Sequence, residues 1–245
     1  DPVVTHAFSI YSPKDAPGMI DNAVLLALMR RKPVYLEIAC NVAHLPTVAP
    51  SPAPNLHDIL VFRSERTALA QAVRSIKSKV DEARDIVVVV GSKVNSPELT
   101  SAVEGLIETL GCAVAVMPDA KSSVCETDKN YVGCYWGEVS TGHAKEIVES
   151  AELVILIGPI LNDYTTVGWT TELTSENSLI IATDHVHLNK TRFSYVSMNE
   201  ILVQLSKNLP KREQSFLKFE ELQTRKSHSK APQQIEGLRL RFIKD

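Results

Sequence analysis

A pair of histidines is the pattern in this sequence that comes nearest to a metal site. His185 and His187 stand two residues apart in the segment 184–187 (DHVH). On a strand both side chains would share one face, and two imidazoles there could contact a metal ion. A zinc site needs three or four protein ligands, and no third candidate is evident nearby. The pattern therefore favours exposed polar residues at the end of a strand over a metal site.

The four cysteines are the other reactive side chains. Cys40, Cys112, Cys125 and Cys134 form no C-x-x-C pair, and a chain of 245 residues is too large to need disulfide staples. We interpret them as reduced thiols of a cytosolic protein. Cys40 and Cys112 sit beside apolar strand residues, which predicts small buried hydrophobic side chains. Cys125 and Cys134 lie in predicted loops, where location alone makes a redox or regulatory role the less favoured alternative.

A dinucleotide site is not indicated by the glycines. Gly91 follows an apolar run, 85–90 (DIVVVV), but the later glycines of a G-x-G-x-x-G fingerprint are missing. Those glycines let the backbone approach a pyrophosphate closely. The sequence therefore predicts a simple strand-to-helix turn at Gly91, and no local motif indicates a Ser-His-Asp or Cys-His catalytic site.

A polar loop follows the most apolar run of the sequence. Residues 158–168 read GPILNDYTTVG and contain Asn162, Asp163 and Tyr164. One interpretation is a ligand-binding loop. The favoured alternative is an ordered loop that caps the sheet and packs on a neighbouring domain, with Asn and Asp closing turns.

Buried strands alternate with amphipathic helices from residue 64 to residue 209, and these elements must position the candidate residues. This alternation predicts parallel βαβ units with right-handed crossovers, and so an open, doubly wound α/β sheet. Ligands bind such a sheet at the carboxyl ends of its strands, here the loops 91–97, 118–134, 158–169 and 184–191. Residues 131–139, rich in Gly and aromatic residues, are predicted to be a loop. The predicted strands are 85–90, 113–117, 153–157 and 178–183, and the predicted helices are 64–83, 97–110, 144–150 and 198–208.

The flanking segments differ from this core. Helical spacing over 15–31 and an apolar run over 33–38 predict one helix and one strand, which cannot form a domain by themselves. They must complete a sheet on the following domain or on residues that precede Asp1. Residues 47–54 (TVAPSPAP) predict an extended linker, because proline fixes φ and removes backbone donors. The strongly charged tail predicts a helix-prone or partly ordered linker over 211–229 and the opening helix of another domain over 236–245.

The composition is ordinary for a soluble globular protein. The net charge is −3, so no charge excess favours binding to nucleic acid or to an anionic membrane. The first residues show no signal peptide. The longest apolar run is too short to span a bilayer.

Residues 129–169 carry a family resemblance. This stretch reads KNYVGCYWGEVSTGHAKEIVESAELVILIGPILNDYTTVGW, and it is preceded by 114–121 (VAVMPDAK) and, further upstream, by 33–42 (PVYLEIACNV). In that order and spacing these segments resemble the thiamine-diphosphate-dependent 2-oxo acid decarboxylases, and among them the pyruvate decarboxylases. Residues 129–169 and 114–121 are similar to the central domain of that family. Residues 33–42 are similar to the end of its first domain.

The resemblance implies an enzyme of three α/β domains that decarboxylates pyruvate to acetaldehyde and CO₂ in the cytoplasm. In this family the first and third domains bind thiamine diphosphate across a subunit interface, so a homodimer or homotetramer is implied. A glutamate of the first domain activates the cofactor, and a GDG-type motif of the third domain holds its diphosphate through Mg²⁺. The central domain is mainly architectural. Some yeast members carry a regulatory cysteine where this chain reads Gly91-Ser92-Lys93-Val94, so thiol-mediated activation of that kind is predicted to be absent.

Neither half of the cofactor site is found in the sequence. There is no glutamate motif with adjacent histidines before residue 45, and no GDG. We therefore predict no catalytic, cofactor-binding or metal-binding residue in this chain, and expect the chain alone to be inactive. The resemblance assigns 1–45 to the end of the pyrimidine-binding domain, 46–63 to a Pro-rich linker, 64–209 to the central domain, 210–235 to a charged linker and 236–245 to the start of the diphosphate-binding domain. The alternative is a free-standing α/β module that binds a nucleotide or a protein partner.

Overall fold

The computed structural model describes residues 3–30, 32–50 and 62–227 of the 245-residue chain. This part of the chain divides into two compact units, one ahead of Ser64 and one from Ser64 onward. In the described ranges, no helix has both the length and the apolar character needed to cross a membrane.

In its described residues, the first unit contains one helix and two strands. Strands β1 (Ala7–Ile10) and β2 (Tyr35–Ile38) pair in parallel as a separate two-stranded sheet, and helix α1 (Ala16–Arg30) connects them. The sequence predicted the helix and β2 but missed β1. All four residues of β2 are exposed. Among the described residues of this unit, the buried hydrophobic side chains are Ile10, Ala23 and Val42. Two strands and one helix therefore bury very little core here.

The second unit is built around a seven-stranded sheet. Its strands are β3 (Ile86–Val90), β4 (Ala113–Val116), β5 (Tyr131–Cys134), β6 (Leu153–Ile157), β7 (Ser178–Ile181), β8 (His185–Leu188) and β9 (Thr191–Ser194). Its helices are α2 (Arg66–Glu82), α3 (Pro97–Leu110), α4 (Ala144–Glu149), α5 (Met198–Asn208) and α6 (Gln214–Ser227).

The strand order confirms the predicted open, doubly wound α/β sheet. The order is β5-β4-β3-β6-β7-β8-β9, and the five strands from β5 to β7 are parallel. Strands β8 and β9 continue the sheet in antiparallel pairing, which makes it mixed. The expectation that residues 184–191 form a loop at the carboxyl edge is therefore wrong. Because β8 runs back along β7, the chain leaves that edge and turns at the opposite one.

Burial on both faces explains why the central strands form here. Every residue of β3 (IVVVV) and β6 (LVILI) is buried, as expected for parallel strands covered by helices on both sides. On one layer α5 packs against both α2 and α3. On the other, α4 and α6 contact each other and both contact β3 and β4. The hydrophobic core of this unit lies between these layers and the sheet.

Helix α3 shows how local sequence signals set the element bounds. Ser96 accepts a hydrogen bond from the Leu99 amide, and Pro97 occupies the first turn, where it removes no helical hydrogen bond. Gly111 ends the helix with φ 62°, a left-handed conformation that glycine adopts at little cost. The observed bounds are therefore those that the sequence predicted.

Two further segments differ from the sequence-based expectation. Residues 131–139, predicted to be a loop, contain strand β5 and a short 3₁₀ turn at Gly137–Val139. The tail was expected to be a helix-prone linker, and α6 is helical, but it also packs on the core, because Ser215, Phe216 and Phe219 are buried. Residues 51–61, in the expected Pro-rich linker, and residues 228–245, which include the expected start of another domain, lie outside the described residues.

Candidate functional site

The carboxyl edge of the parallel strands is the candidate functional site. The chain runs outward from β3 to β4 and β5 on one side and continues at β6 on the other, so the strand order reverses between β3 and β6. A doubly wound sheet holds its ligand in the crevice at this switch point. The loops that follow β3 and β6 flank the crevice.

The backbones of these two loops are in direct contact at the switch point. The Gly91 amide donates to the Ile157 carbonyl at 2.8 Å, and the Lys93 amide donates to the Gly158 carbonyl at 3.0 Å. A Cβ atom at Gly91 would lie 2.5 Å from the Gly158 oxygen and 2.5 Å from the Pro159 Cα. The pairing of β3 with β6 therefore continues into the start of both loops, at a position where only glycine fits.

The loop after β3 carries a hydroxyl at the position where the resemblance led us to look for a cysteine. The Ser92 hydroxyl donates to Asp119 Oδ2 at 2.6 Å, which joins the loops that follow β3 and β4. Both side chains are polar and near solvent. This contact joins two neighbouring loops, and the position holds a serine hydroxyl in place of a cysteine thiol.

The polar loop after β6 is held by its own side chains. Asn162 Oδ1 accepts from the Thr165 amide at 2.8 Å, and the Thr165 hydroxyl donates to the Ile160 carbonyl at 2.7 Å. The Thr166 hydroxyl donates to the Asn162 carbonyl at 2.7 Å. Thr165 and Thr166 are buried. The loop is therefore ordered by an Asn and Thr network, and packing on a neighbouring domain stays a prediction.

This ordered loop presents exposed aromatic side chains. Tyr164 and Trp169 are each 63% exposed, and Leu161 is 42% exposed. The Trp136 indole N–H donates to the Tyr164 carbonyl at 2.6 Å, and the two rings lie 5.3 Å apart. Large apolar side chains held rigidly at a surface are typical of an interaction site, because little conformational entropy is lost when they are covered.

A buried tyrosine–carboxylate pair lies beside this surface. The Tyr135 hydroxyl donates to Glu149 Oε1 at 3.0 Å, and Glu149 also accepts from the Glu172 amide at 3.3 Å. Burial, and then the adjacent Glu149 charge, raise the pKa of Tyr135, so the phenol stays protonated at neutral pH. Lys145 pairs with Glu138, and this hydrogen bond raises the pKa of Lys145.

The Tyr135 phenol therefore offers no proton near neutral pH, and its hydrogen bond joins the residue after β5 to α4. The sequence did not predict this pair, because residues 135 and 149 stand 14 positions apart and only the strand-to-helix connection brings them together.

The histidine pair is brought onto one face of β8, as the spacing predicted. His185 and His187 are both partly exposed, and His185 Nδ1 lies 2.8 Å from Asp184 Oδ1. Among the described residues no group of three or more His, Cys, Asp or Glu could hold a metal ion. The antiparallel course of β8 directs His187 away from the carboxyl edge.

The four cysteines occupy three kinds of surroundings. Cys112 is fully buried, as predicted, and burial raises the pKa of its thiol to about 12. Cys40 is exposed, so its prediction as a buried side chain is wrong. Cys125 is exposed in a loop. Cys134, predicted in a loop, ends β5, and partial burial raises the pKa of its thiol. The raised pKa values of Cys112 and Cys134 disfavour the reactive thiolate form.

Comparison with known proteins places this geometry in a family. Residues 73–204, which lie within the seven-stranded unit, match the family described as "Thiamine pyrophosphate enzyme, central domain". Thiamine pyrophosphate is a second name for thiamine diphosphate.

Curated relatives extend the match to most of the chain. A probable pyruvate decarboxylase of Schizosaccharomyces pombe is 34% identical over 216 residues, which cover 88% of this chain and 37% of the relative. Pyruvate decarboxylase 3 of Arabidopsis thaliana is 38% identical over 199 residues, 80% of this chain and 33% of the relative. Pyruvate decarboxylase 1 of Nicotiana tabacum is 34% identical over 231 residues, 94% of this chain and 55% of the relative.

The chain thus spans only about a third to a half of the length of these relatives. The matched residues coincide with the doubly wound sheet and its helices. The chain therefore belongs to the thiamine pyrophosphate enzyme family and contains its central domain.

Proposed function

We propose that this chain is part of a cytoplasmic, thiamine-diphosphate-dependent pyruvate decarboxylase, which in its complete form converts pyruvate to acetaldehyde and CO₂. The observation that carries the proposal is the 34–38% identity to proteins named pyruvate decarboxylases, over at least 80% of this chain. The alternative of a free-standing α/β module that binds a nucleotide or a protein partner finds no support in these similarities.

We propose that the cofactor site lies outside this chain, because the sequence contains neither the glutamate motif nor the GDG-type motif of the family. Thiamine diphosphate binds together with Mg²⁺, a hard cation that takes oxygen ligands, mainly carboxylates and phosphates. The part of the chain that the structure describes holds no group of three or more His, Cys, Asp or Glu suited to a metal ion. We therefore assign thiamine diphosphate and Mg²⁺ to other parts of the complete protein, and we derive no catalytic step from the residues of this chain.

The first unit supports the assignment of residues 1–45 to the end of another domain. Its strand β2 pairs, within the described residues, with β1 alone, and Tyr35 and Ile38 are 57% and 46% exposed. A strand with both faces and one edge uncovered is an aggregation hazard, which natural proteins normally cover. In our proposal the rest of the pyrimidine-binding domain covers it, and 236–245 begins the diphosphate-binding domain.

The central unit has an architectural role in this proposal. Its rigid loop after β6 presents Leu161, Tyr164 and Trp169 at the carboxyl edge, which suits a contact with another domain or subunit. The complete enzyme is then a homo-oligomer whose active site is assembled from parts outside the central unit.

Acetaldehyde formation tests the proposed function. The 245-residue chain and the longest protein that its gene encodes are each incubated with pyruvate, thiamine diphosphate and Mg²⁺, and acetaldehyde is followed by a coupled reduction. We expect turnover by the longer protein and none by the chain alone above a no-protein control. Absence of turnover by the longer protein with pyruvate, together with turnover of a different 2-oxo acid, would overturn the substrate assignment. Turnover by the chain alone would overturn the assignment of the chemistry to other domains.

A further inference from the structure

Helix α6 lies at the edge of the sheet opposite the candidate site. It follows α5 after a short connection, and its sequence, QSFLKFEELQTRKS, is largely polar. Its contacts reach Ile86 and Ala113, the first residues of β3 and β4. The helix therefore covers the amino-terminal ends of the two central strands.

A buried hydroxyl on α6 joins these two strands. The Ser215 side chain is fully buried, donates to the Ile86 carbonyl at 2.6 Å and accepts from the Ala113 amide at 2.9 Å. A hydroxyl can donate once and accept twice, so a single serine satisfies a carbonyl and an amide that would otherwise be buried without partners. Undocking of α6 exposes the carbonyl and the amide to water. An alanine at position 215 would leave both groups buried without a hydrogen-bond partner while α6 is docked.

A buried carboxylate makes the second attachment. Asp85 has a side chain that is 4% exposed, and one of its oxygens pairs with the Lys218 ammonium group of α6. Its Oδ1 atom has no hydrogen-bond partner in the described part of the chain. An ion pair with one buried partner is costly to break from one side, because the remaining charge stays desolvated.

The start of the segment is attached by an arginine. Arg212 Nε donates to the Ala83 carbonyl at 3.1 Å and to the Val80 carbonyl at 3.3 Å, and so satisfies carbonyls at the end of α2. Helix α6 also makes apolar contacts with the core. Phe216 and Phe219 are buried, and the Lys129 ammonium group lies 5.2 Å from the centre of the Phe216 ring.

Cys112 lies next to these contacts. Cys112 directly precedes Ala113, whose amide binds Ser215, and it lies close enough to Asp85 for that charge to raise the pKa of its thiol further. The thiol is fully buried and therefore protected from reagents while α6 is docked.

We propose that α6 is a strap that docks on the amino-terminal edge of the sheet and releases as a unit, with Cys112 uncovered when it opens. A helix of 14 residues is marginal by itself, and this one is held by a few polar contacts and two buried phenylalanines. Its opening free energy is accordingly below that of the central strands. The proposal does not depend on the decarboxylase activity.

Alkylation of Cys112 tests the strap in the full 245-residue chain. Cys40, Cys125 and Cys134 are replaced by serine, and the rate of iodoacetamide labelling is measured against urea concentration. A released strap predicts a labelling rate that changes little with urea well below the unfolding transition. A urea dependence equal to that of global unfolding overturns the proposal, because Cys112 would then react only when the whole unit unfolds. This arm requires no substitution in the strap.

Two strap variants and one control sharpen the result. We expect Ser215→Ala and Lys218→Met to raise the labelling rate about tenfold or more, since each leaves a buried polar group without its partner. Lys207→Met, which changes an exposed lysine on α5, should leave the rate unchanged. Equal rates in the strap variants and in the control would overturn the proposal.

Discussion

Substitution of Gly91 by alanine tests the contact that closes the switch point. The added Cβ would meet the Gly158 oxygen and the Pro159 Cα, each at 2.5 Å, and the Gly158 carbonyl carbon at 2.8 Å. Distances below about 3.0 Å cannot persist, and backbone atoms cannot rotate aside as a side chain would. One of the two loops must therefore move. Gly91 has no left-handed backbone, so the expected effect is steric alone.

The expected cost follows from overpacking. Inserting a methyl group into a packed site typically costs about 1–3 kcal/mol, and the contacted atoms here belong to the β6 loop. For a unit of this size each kcal/mol lowers the melting temperature by about 2–4 °C. Gly105→Ala is the matched control, because its Cβ would meet nothing within 4 Å and it lies inside helix α3. That change should stabilise the unit by about 0.5–1 kcal/mol.

Urea unfolding followed by tryptophan fluorescence measures both variants. The two tryptophans, Trp136 and Trp169, both lie in the second unit, so the signal reports on that unit. We expect the unfolding midpoint to fall for Gly91→Ala and to rise for Gly105→Ala. If Gly91→Ala unfolds at the wild-type urea concentration or above, the two loops are not in the close contact described here.

Two further predictions concern polar contacts. Glu65 accepts hydrogen bonds from the Thr67 and Ala68 amides, and these bonds lower its pKa. The contribution of Glu65 to stability is therefore present above its ordinary pKa of 4.5. It is lost as the pH falls through the lowered pKa of the folded state. The stability difference between wild type and Glu65→Gln should be present at pH 7 and vanish in acid, and a difference independent of pH would contradict the assignment. Tyr135→Phe removes a hydrogen-bond donor from the Glu149 carboxylate and should cost about 1–3 kcal/mol of stability in the urea assay. Tyr164→Phe, at an exposed ring, is the control and should change stability by less than about 0.5 kcal/mol. Equal effects of the two substitutions would show that the Tyr135 hydroxyl does not support Glu149.

The elements with strong sequence signals were predicted closely. The bounds of α3, β6 and α5 agree with the structure, because apolar residues recur at helical spacing or fill a whole strand, and because Ser96, Pro97 and Gly111 mark the ends of α3. The short strands β1, β5, β8 and β9 were not predicted. Each has four residues, and Gly133 interrupts the apolar pattern of β5.

The contacts of the polar side chains could not be predicted. Tyr135 bonds to Glu149, which lies in a different element. Ser215 joins Ile86 and Ala113, which are far from it in the sequence. Whether such residues come into contact depends on strand order and on helix direction, and no local sequence pattern specifies either. For the same reason the charged tail gave no sign that α6 packs on the sheet.

Binding of the cofactor tests the central claim most directly. Thiamine diphosphate with Mg²⁺ is titrated into the 245-residue chain in a calorimeter, with the longest protein that the gene encodes as the positive control. We expect saturable binding by the longer protein and no binding by the chain, because the sequence contains neither the glutamate motif nor the GDG-type motif that hold the cofactor in the family. Saturable binding of one cofactor per chain would contradict the assignment of this chain to an architectural role.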